Sequence, residues 1–250
     1  MVLVLPPAAA KSSAAMPTAI PVNPNDCQFL VEEYQAGLTR GGDLTNAIAN
    51  VVRSAGLSPR DIASISINIG PGSWTGLRVG LTAAKTLAST ANLPLVALEG
   101  LFASALAYIH AQPVRASQSA AKDRVTIAVI QDSGHGRICR GLYRGELGHA
   151  TAWLETVKPP AMLDVITSAE IFDAGPGILL GVEALPPATR ATWDAAIPSL
   201  PPGWTLAPRP RGLRVTALAC VTAARLGRLI YTADQVQSLA PLYLKDPYSA

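Results

Sequence analysis

The chain has 250 residues, of which 49% are apolar and 15% are charged, and its formal net charge is +3. High hydrophobicity with low charge excludes an intrinsically disordered chain, and so weak a net charge argues against a dedicated nucleic-acid binder. No apolar run reaches the roughly 18 residues of a membrane-spanning helix, so we expect no membrane association.

The cysteines and the N-terminus both indicate a cytoplasmic protein. The three cysteines are far apart and lack the C-x-x-C spacing of a metal or redox site: Cys27, Cys139 and Cys220. They are therefore interpreted as reduced thiols. The apolar N-terminus is interrupted by prolines and has no basic residue before Lys11, which makes it a poor secretory signal.

The first half of the chain alternates strand and helix patterns. Hydrophobic periodicity predicts strands over Val2–Leu5, Thr18–Val22, Cys27–Tyr34, Ser64–Ile69 and Leu93–Leu98, and helices over Leu44–Ala55, Leu77–Ala91 and Gly100–Ala111. The order strand, helix, strand, helix over residues 64–111 is typical of an α/β unit with parallel strands and a right-handed crossover.

The second half begins after a linker-like stretch at residues 112–122. Its pattern predicts a hairpin of strands Val125–Gln131 and Arg137–Tyr143, a strand Gly177–Val182, an irregular Pro-rich stretch Pro198–Pro210 and a helix Val215–Ile230. We therefore expect two lobes, 1–112 and 113–250, with the C-terminal helix free to pack back on the first lobe.

A glycine-rich loop between a predicted strand and a predicted helix is the strongest candidate site. Exposed N–H groups at such a turn can bind phosphate, with these candidate residues: Gly70, Gly72, Ser73, Thr75, Gly76 and Arg78. The spacing is neither that of a Walker loop nor that of a dinucleotide fingerprint. The alternative is a tight turn that packs helix against strand, in which Gly72 after Pro71 needs a positive φ.

A second candidate is the Asp132-x-Gly-x-Gly sequence between the two hairpin strands. Such a turn can place backbone N–H groups around a phosphate with Asp132 near a metal ion, or it can be a glycine hairpin with nothing bound. His110, His135 and His149 lack the spacing of metal ligands, and no serine or cysteine lies in a nucleophile-elbow motif. We predict no metal ligand and no catalytic residue.

The glycine loop is part of the stretch GPGSWTGLRVG at residues 70–80, which is followed by AKTLA at 84–88 and LPLV at 93–96. These three stretches resemble the TsaB (YeaZ) family, which has Phe at the place of Trp74. The terminal run LAPLYLK at 239–245 is also similar to that family. The resemblance implies an α/β, actin-like and ribonuclease H-like (ASKHA) fold with two lobes of mixed sheets flanked by helices.

The family resemblance also implies a function. It is that of a non-catalytic scaffold that binds a TsaD-like catalytic subunit in the synthesis of N6-threonylcarbamoyladenosine on tRNA. It further implies a TsaE-like ATPase as an additional partner, a homodimer when the chain is alone, and indirect contact with tRNA. TsaD binds its metal through H-x-x-x-H, which this sequence lacks. Leu5-Pro6-Pro7 replaces the family's Asp-Thr-Ser, so ATP, ADP or Mg is expected only at a partner interface.

The partner interface is expected on two helices whose small residues allow close approach. The candidate residues are Leu44, Ile48, Val51, Leu77, Gly80, Leu81, Ala84 and Ala88. Two other interpretations stay open: an independent nucleotide-dependent enzyme, either a phosphotransferase or a glycoprotease-like peptidase, and a degenerate homologue that acts only as a homodimer.

Overall fold

The structure is a computed structural model of the 250-residue chain. It describes residues 2–4, 42–62, 64–112, 124–147, 153–210, 223, 228–232 and 234–244. The predicted strands Thr18–Val22 and Cys27–Tyr34, and most of the predicted helix Val215–Ile230, lie outside these residues. So do Cys27, Cys220 and His149.

Nine strands and four α-helices are present among the described residues. The strands are β1 Val2–Val4, β2 Ser64–Asn68, β3 Leu95–Leu98, β4 Arg124–Gly134, β5 Arg137–Glu146, β6 Glu155–Asp164, β7 Gly177–Leu180, β8 Trp204–Ala207 and β9 Ile230–Tyr231. The helices are α1 Gly42–Ser54, α2 Trp74–Ala91, α3 Gly100–Ala111 and α4 Pro187–Ala196. Short 3-10 helices cover Pro59–Asp61, Val165–Ala174, Val182–Ala184 and Val236–Ser238.

The chain divides into two compact units. The first comprises Met1–Glu99 and Gly212–Leu242, and the second comprises Gly100–Arg211 and Tyr243–Ala250. Helix α3 therefore belongs to the second unit, whereas the expected lobe boundary lies after it, at residue 112. The segment 212–242 returns to the first unit.

The first unit is built on a four-stranded mixed sheet in the order β1-β2-β3-β9. Strands β2 and β3 are parallel, with Ile65 opposite Leu95 and Ile67 opposite Ala97. These four side chains lie on one face of the sheet, because alternate residues of a strand point the same way. They form one buried cluster with Leu81, Ala84 and Ala88 of α2 and with Val236 and Leu239 near the C-terminus.

The second unit is built on a five-stranded mixed sheet in the order β6-β5-β4-β7-β8. Ala128 and Ile130 of β4 pack in a core with Trp193 of α4 on one face. On the other face, the rings of Phe102 in α3 and Tyr143 in β5 meet edge to face at 5.4 Å. Helix α3 is buried almost all round, which explains its nearly continuous apolar sequence.

Most predicted elements are confirmed to within a few residues, and two are wrong. The Pro-rich stretch Pro198–Pro210 contains β8, which pairs with β7 and buries Trp204. Ile230 does not end a helix but pairs with Val96 as part of β9. Both strands are held by pairing with distant segments, which local periodicity does not reveal.

Two elements have no counterpart among the predicted ones. Strand β6 contains Pro159 and Pro160, a pair that usually argues against a strand, and it is tolerated because β6 is an edge strand. Helix α4 starts at Pro187, a residue that suits the first helical position because its missing N–H has no partner there anyway. No described helix has the length and hydropathy needed to cross a bilayer.

Candidate functional site

The glycine loop joins β2 to α2 and is held by hydrogen bonds at both ends. The Asn68 Oδ1 atom accepts a hydrogen bond from the Gly70 amide at 2.9 Å. At the other end, Ser73 is the N-cap of α2, and its Oγ atom accepts from the Gly76 amide at 3.4 Å. Ser73, one of the residues expected to bind phosphate, is thus already engaged in shaping the turn.

Gly70 is the residue of the loop that must be glycine. Its φ is +130°, and a Cβ atom added there would lie 2.7 Å from the carbonyl oxygen of Leu242. The Leu242 amide in turn donates a hydrogen bond of 2.7 Å to the Ile69 carbonyl. Gly70 therefore makes room for a distant segment of its own chain, as the packing interpretation of the loop requires.

Gly72 does not have the positive φ expected for it. It is exposed, and a Cβ atom there would meet only the Leu77 side chain, at an ordinary 3.8 Å. The expected strain after Pro71 is therefore wrong in its position, because the left-handed backbone lies before the proline, at Gly70.

The exposed rim of the loop carries an aromatic–cation pair. The guanidinium carbon of Arg78 lies 4.6 Å from the centroid of the Trp74 ring, while Ser73, Thr75 and Gly76 are exposed around it. Sequence reasoning missed this pair, although the i, i+4 spacing on one helix is the signal for it. Arg78 is therefore used at least in part to cover the Trp74 ring.

Asp132 lies at the end of β4 and has both carboxylate oxygens engaged. The Gly134 amide donates to one oxygen at 3.1 Å, and the Thr189 hydroxyl donates to the other at 2.8 Å. His135 and Gly136 both have positive φ, as a two-residue hairpin loop requires. The carboxylate thus ties the hairpin to α4, and it belongs to the second unit while the glycine loop belongs to the first.

The apolar side of α2 faces its own unit and not a partner. Ala84 and Ala88 are completely buried and Leu81 is 4% exposed, all in the core cluster of the first sheet. Leu77 lies against Gly70, and a Cβ atom at Gly80 would meet Ile67 at 3.7 Å. The interface expectation for Leu81, Ala84 and Ala88 is therefore corrected, because an amphipathic helix first buries its apolar stripe in its own domain.

The opposite side of α2 is exposed and uncharged. We call this the outward face, and its residues follow one another at helical spacing: Thr75, Val79, Thr82, Thr86 and Thr90. Val79 is 42% exposed, which makes it one of the few large apolar side chains at the surface. On α1, Leu44, Ile48 and Val51 are half-buried, so part of each stays accessible.

Few groups in the described residues have the properties of a catalytic or metal site. Those residues contain no cluster of three or more His, Cys, Asp or Glu side chains arranged to hold a metal ion. Burial raises the pKa of Tyr108 above its ordinary value of 10.0, and this tyrosine lies on α3, away in sequence from the glycine loop. Cys139 is buried in β5.

Comparison with known proteins connects these features to tRNA modification. The family model "TsaD: tRNA N6-adenosine threonylcarbamoyltransferase" matches residues 42–141. The Bacillus subtilis "tRNA threonylcarbamoyladenosine biosynthesis protein TsaB" is 31% identical over 113 residues, which is 45% of this chain and 42% of that protein. YeaZ from Pseudomonas aeruginosa superposes with a TM-score of 0.53 at 18% identity, covering 82% of this chain and 84% of that one.

The chain is similar to the TsaB (YeaZ) family over these matched stretches. A "probable bifunctional tRNA threonylcarbamoyladenosine biosynthesis protein" of Thermoplasma volcanium is also similar, with 36% identity over 66 residues, or 26% of this chain and 12% of that protein. The matched stretches therefore span less than half the length of these curated relatives. The structural likeness establishes the actin-like α/β fold of the TsaB family for this chain.

Proposed function

We propose that this chain is a non-catalytic subunit in the biosynthesis of tRNA threonylcarbamoyladenosine, and that it binds a TsaD-like catalytic subunit. Its relatives carry tRNA threonylcarbamoyladenosine biosynthesis in their names. The sequence lacks the H-x-x-x-H pair through which TsaD holds its metal. Indirect contact with tRNA, through the partner, is part of the same proposal.

The outward face of α2 is the observation that carries this proposal. A helix that faces water normally presents charged residues there, whereas this face has four threonines and a valine. The whole helix contains no acidic residue, and its two basic residues, Arg78 and Lys85, lie on its flank. An uncharged stripe of short side chains suits close packing against a second helix.

Helix α1 extends the proposed surface in part. Leu44, Ile48 and Val51 recur at the spacing of one helix face and keep accessible area. The proposed partner surface therefore combines this stripe of α1 with the outward face of α2, and it excludes Leu77, Gly80, Leu81, Ala84 and Ala88.

The glycine loop and Asp132 do not fit a nucleotide site formed by this chain alone. The Gly70 amide donates to Asn68, and both oxygens of Asp132 already accept hydrogen bonds. A phosphate bound by the Gly70 amide would have to displace Asn68, and the two donors already give Asp132 a structural role in the hairpin. We therefore propose a packing role for the loop and assign no chemical step to ATP, ADP or Mg.

The test is the association of the purified chain with the TsaD-like protein of the same cell, measured by calorimetry. Thr86→Arg places a charge in the middle of the outward face, and arginine is compatible with a helix. An unpaired charge at an interface core costs about 2–5 kcal/mol, so the Kd is expected to rise at least about 30-fold. Ala195→Arg is the control, because it adds the same charge at an exposed position of α4.

The outcomes separate the alternatives. Loss of binding by Thr86→Arg, with normal binding by Ala195→Arg and native circular dichroism for both, supports the proposed surface. Equal binding by both variants removes α2 from the interface. A wild-type chain that binds no TsaD-like protein but forms a dimer sensitive to Thr86→Arg favours the homodimeric homologue. Reconstitution with tRNA then measures the modification itself, and adding a TsaE-like ATPase tests that partner.

A further inference from the structure

The segment Asp234–Leu242, which we call the strap, crosses α2 near the C-terminus of the chain. We propose that the strap is a positioning device that holds α2 so that its outward face is presented to the partner. This inference rests on the proposed function. The residues of the strap contact α2 and the glycine loop, and we assign them no contact with the partner.

The strap holds the C-terminal half of α2 by polar contacts on the flank of the helix. The Lys85 ammonium donates to the Gln237 carbonyl at 3.0 Å, and the Gln237 side-chain amide donates to the Ser89 hydroxyl at 3.3 Å. Beside them, Val236 is completely buried and Leu239 is 7% exposed, both in the core cluster under α2. Apolar anchors thus fix the strap, and Gln237 joins it to the helix.

The same strap holds the loop that precedes α2. Leu242 donates its amide to the Ile69 carbonyl, and its own carbonyl occupies the space that a side chain at Gly70 would need. One segment that is distant in sequence is therefore attached both to the C-terminal half of α2 and to the loop that precedes the helix. A helix held in this way has less freedom to rotate or slide, which lowers the entropy that a partner must remove on binding.

The strap also controls where the charge of α2 lies. Lys85 is on the flank next to the outward face, and its flexible side chain could reach across that face. The bond to Gln237 holds the ammonium on the side of the strap. The outward face stays uncharged as a result, which an apolar partner helix requires.

The test compares two glutamines of the strap. Gln237→Ala removes the bond to Ser89, whereas Gln235→Ala removes only a local bond in which the Gln235 side chain accepts from the Thr232 amide at 3.1 Å. Lys85→Met removes the ammonium, and Lys85→Arg keeps a donor at the same position. Hydrogen exchange of the α2 amides and the Kd for the TsaD-like protein are measured for each full-length variant.

We expect Gln237→Ala and Lys85→Met each to accelerate exchange across α2 and to raise the Kd, both by about fivefold, which is the effect of one lost hydrogen bond. Gln235→Ala and Lys85→Arg are expected to match the wild type in both measurements. Unchanged exchange across α2 in Gln237→Ala and Lys85→Met would overturn the positioning role. So would faster exchange with an unchanged Kd, since the strap would then be structural only. A wild-type chain that binds no TsaD-like protein refutes the proposed function instead, which is a separate result.

Discussion

Replacing Gly70 by alanine tests the packing role of the glycine loop. A side chain there faces two penalties, because the φ of +130° is strained for any residue with a Cβ and because that Cβ would lie 2.7 Å from the Leu242 carbonyl oxygen. Backbone strain of this kind costs about 1–3 kcal/mol. Displacing Leu242 also removes its hydrogen bond to Ile69, which contributes about 1 kcal/mol. We expect Gly70→Ala to lower the free energy of unfolding by about 2–4 kcal/mol.

Gly72→Ala is the matched control, two residues away in the same loop. Its backbone has no positive φ, and its new methyl group would make an ordinary contact with Leu77. A glycine replaced without strain leaves stability unchanged or raises it by up to about 1 kcal/mol. Urea unfolding followed by tryptophan fluorescence measures both variants. If Gly70→Ala were as stable as Gly72→Ala, the contact with Leu242 would not determine the loop, and the packing argument would fail.

Two further predictions concern the second unit. Asp132→Ala leaves the hydroxyl of the buried residue Thr189 without its acceptor, so we expect the free energy of unfolding to fall by about 1–3 kcal/mol in metal-free buffer. The fall should be smaller in a Thr189→Val background. An unchanged free energy of unfolding would contradict the structural role of Asp132. Burial raises the pKa of Tyr108, so the folded state favours the neutral phenol. The contribution of the neutral Tyr108 phenol to stability is present below pH 10.0 and is lost as the pH rises through the raised pKa. The free energy of unfolding should therefore fall less steeply with rising alkaline pH in Tyr108→Phe than in the wild type. Urea unfolding at several pH values measures this, and identical slopes would contradict it.

The sequence predicts the elements whose pattern is local. Strand β2 alternates isoleucine with polar residues, and α2 repeats its apolar residues at helical spacing, so both are found close to their predicted bounds. Strands β8 and β9 are too short for a periodic signal, and each is held by pairing with a strand that is distant in sequence. The contacts that Lys85 and Leu242 make between the strap and the region of α2 join residues far apart in the chain, so no local sequence pattern predicts them.

The predicted site shows a different limit. An apolar stripe on a helix identifies the buried side but not what buries it, and the stripe of α2 is covered by its own sheet. The partner surface that we propose lies on the opposite side, where Thr82 and Thr86 stand at positions that water-facing helices usually fill with charge. The absence of charge on a predicted outer face is therefore the feature to search for in the sequence.

The structure also explains why two separate stretches of the sequence resemble the same family. The glycine motif at residues 70–80 and the run at 239–245 are far apart in the chain. The Leu242 amide nevertheless donates a hydrogen bond to the Ile69 carbonyl, and the Leu242 carbonyl oxygen occupies the space that a side chain at Gly70 would need. A change in either stretch alters the packing of the other, because a side chain at Gly70 and the carbonyl of Leu242 compete for one volume. Gly70 and Leu242 thus belong to one packed arrangement beside the start of α2. If α2 is the partner helix, as we propose, Gly70 acts on partner binding through the geometry of the loop that precedes this helix.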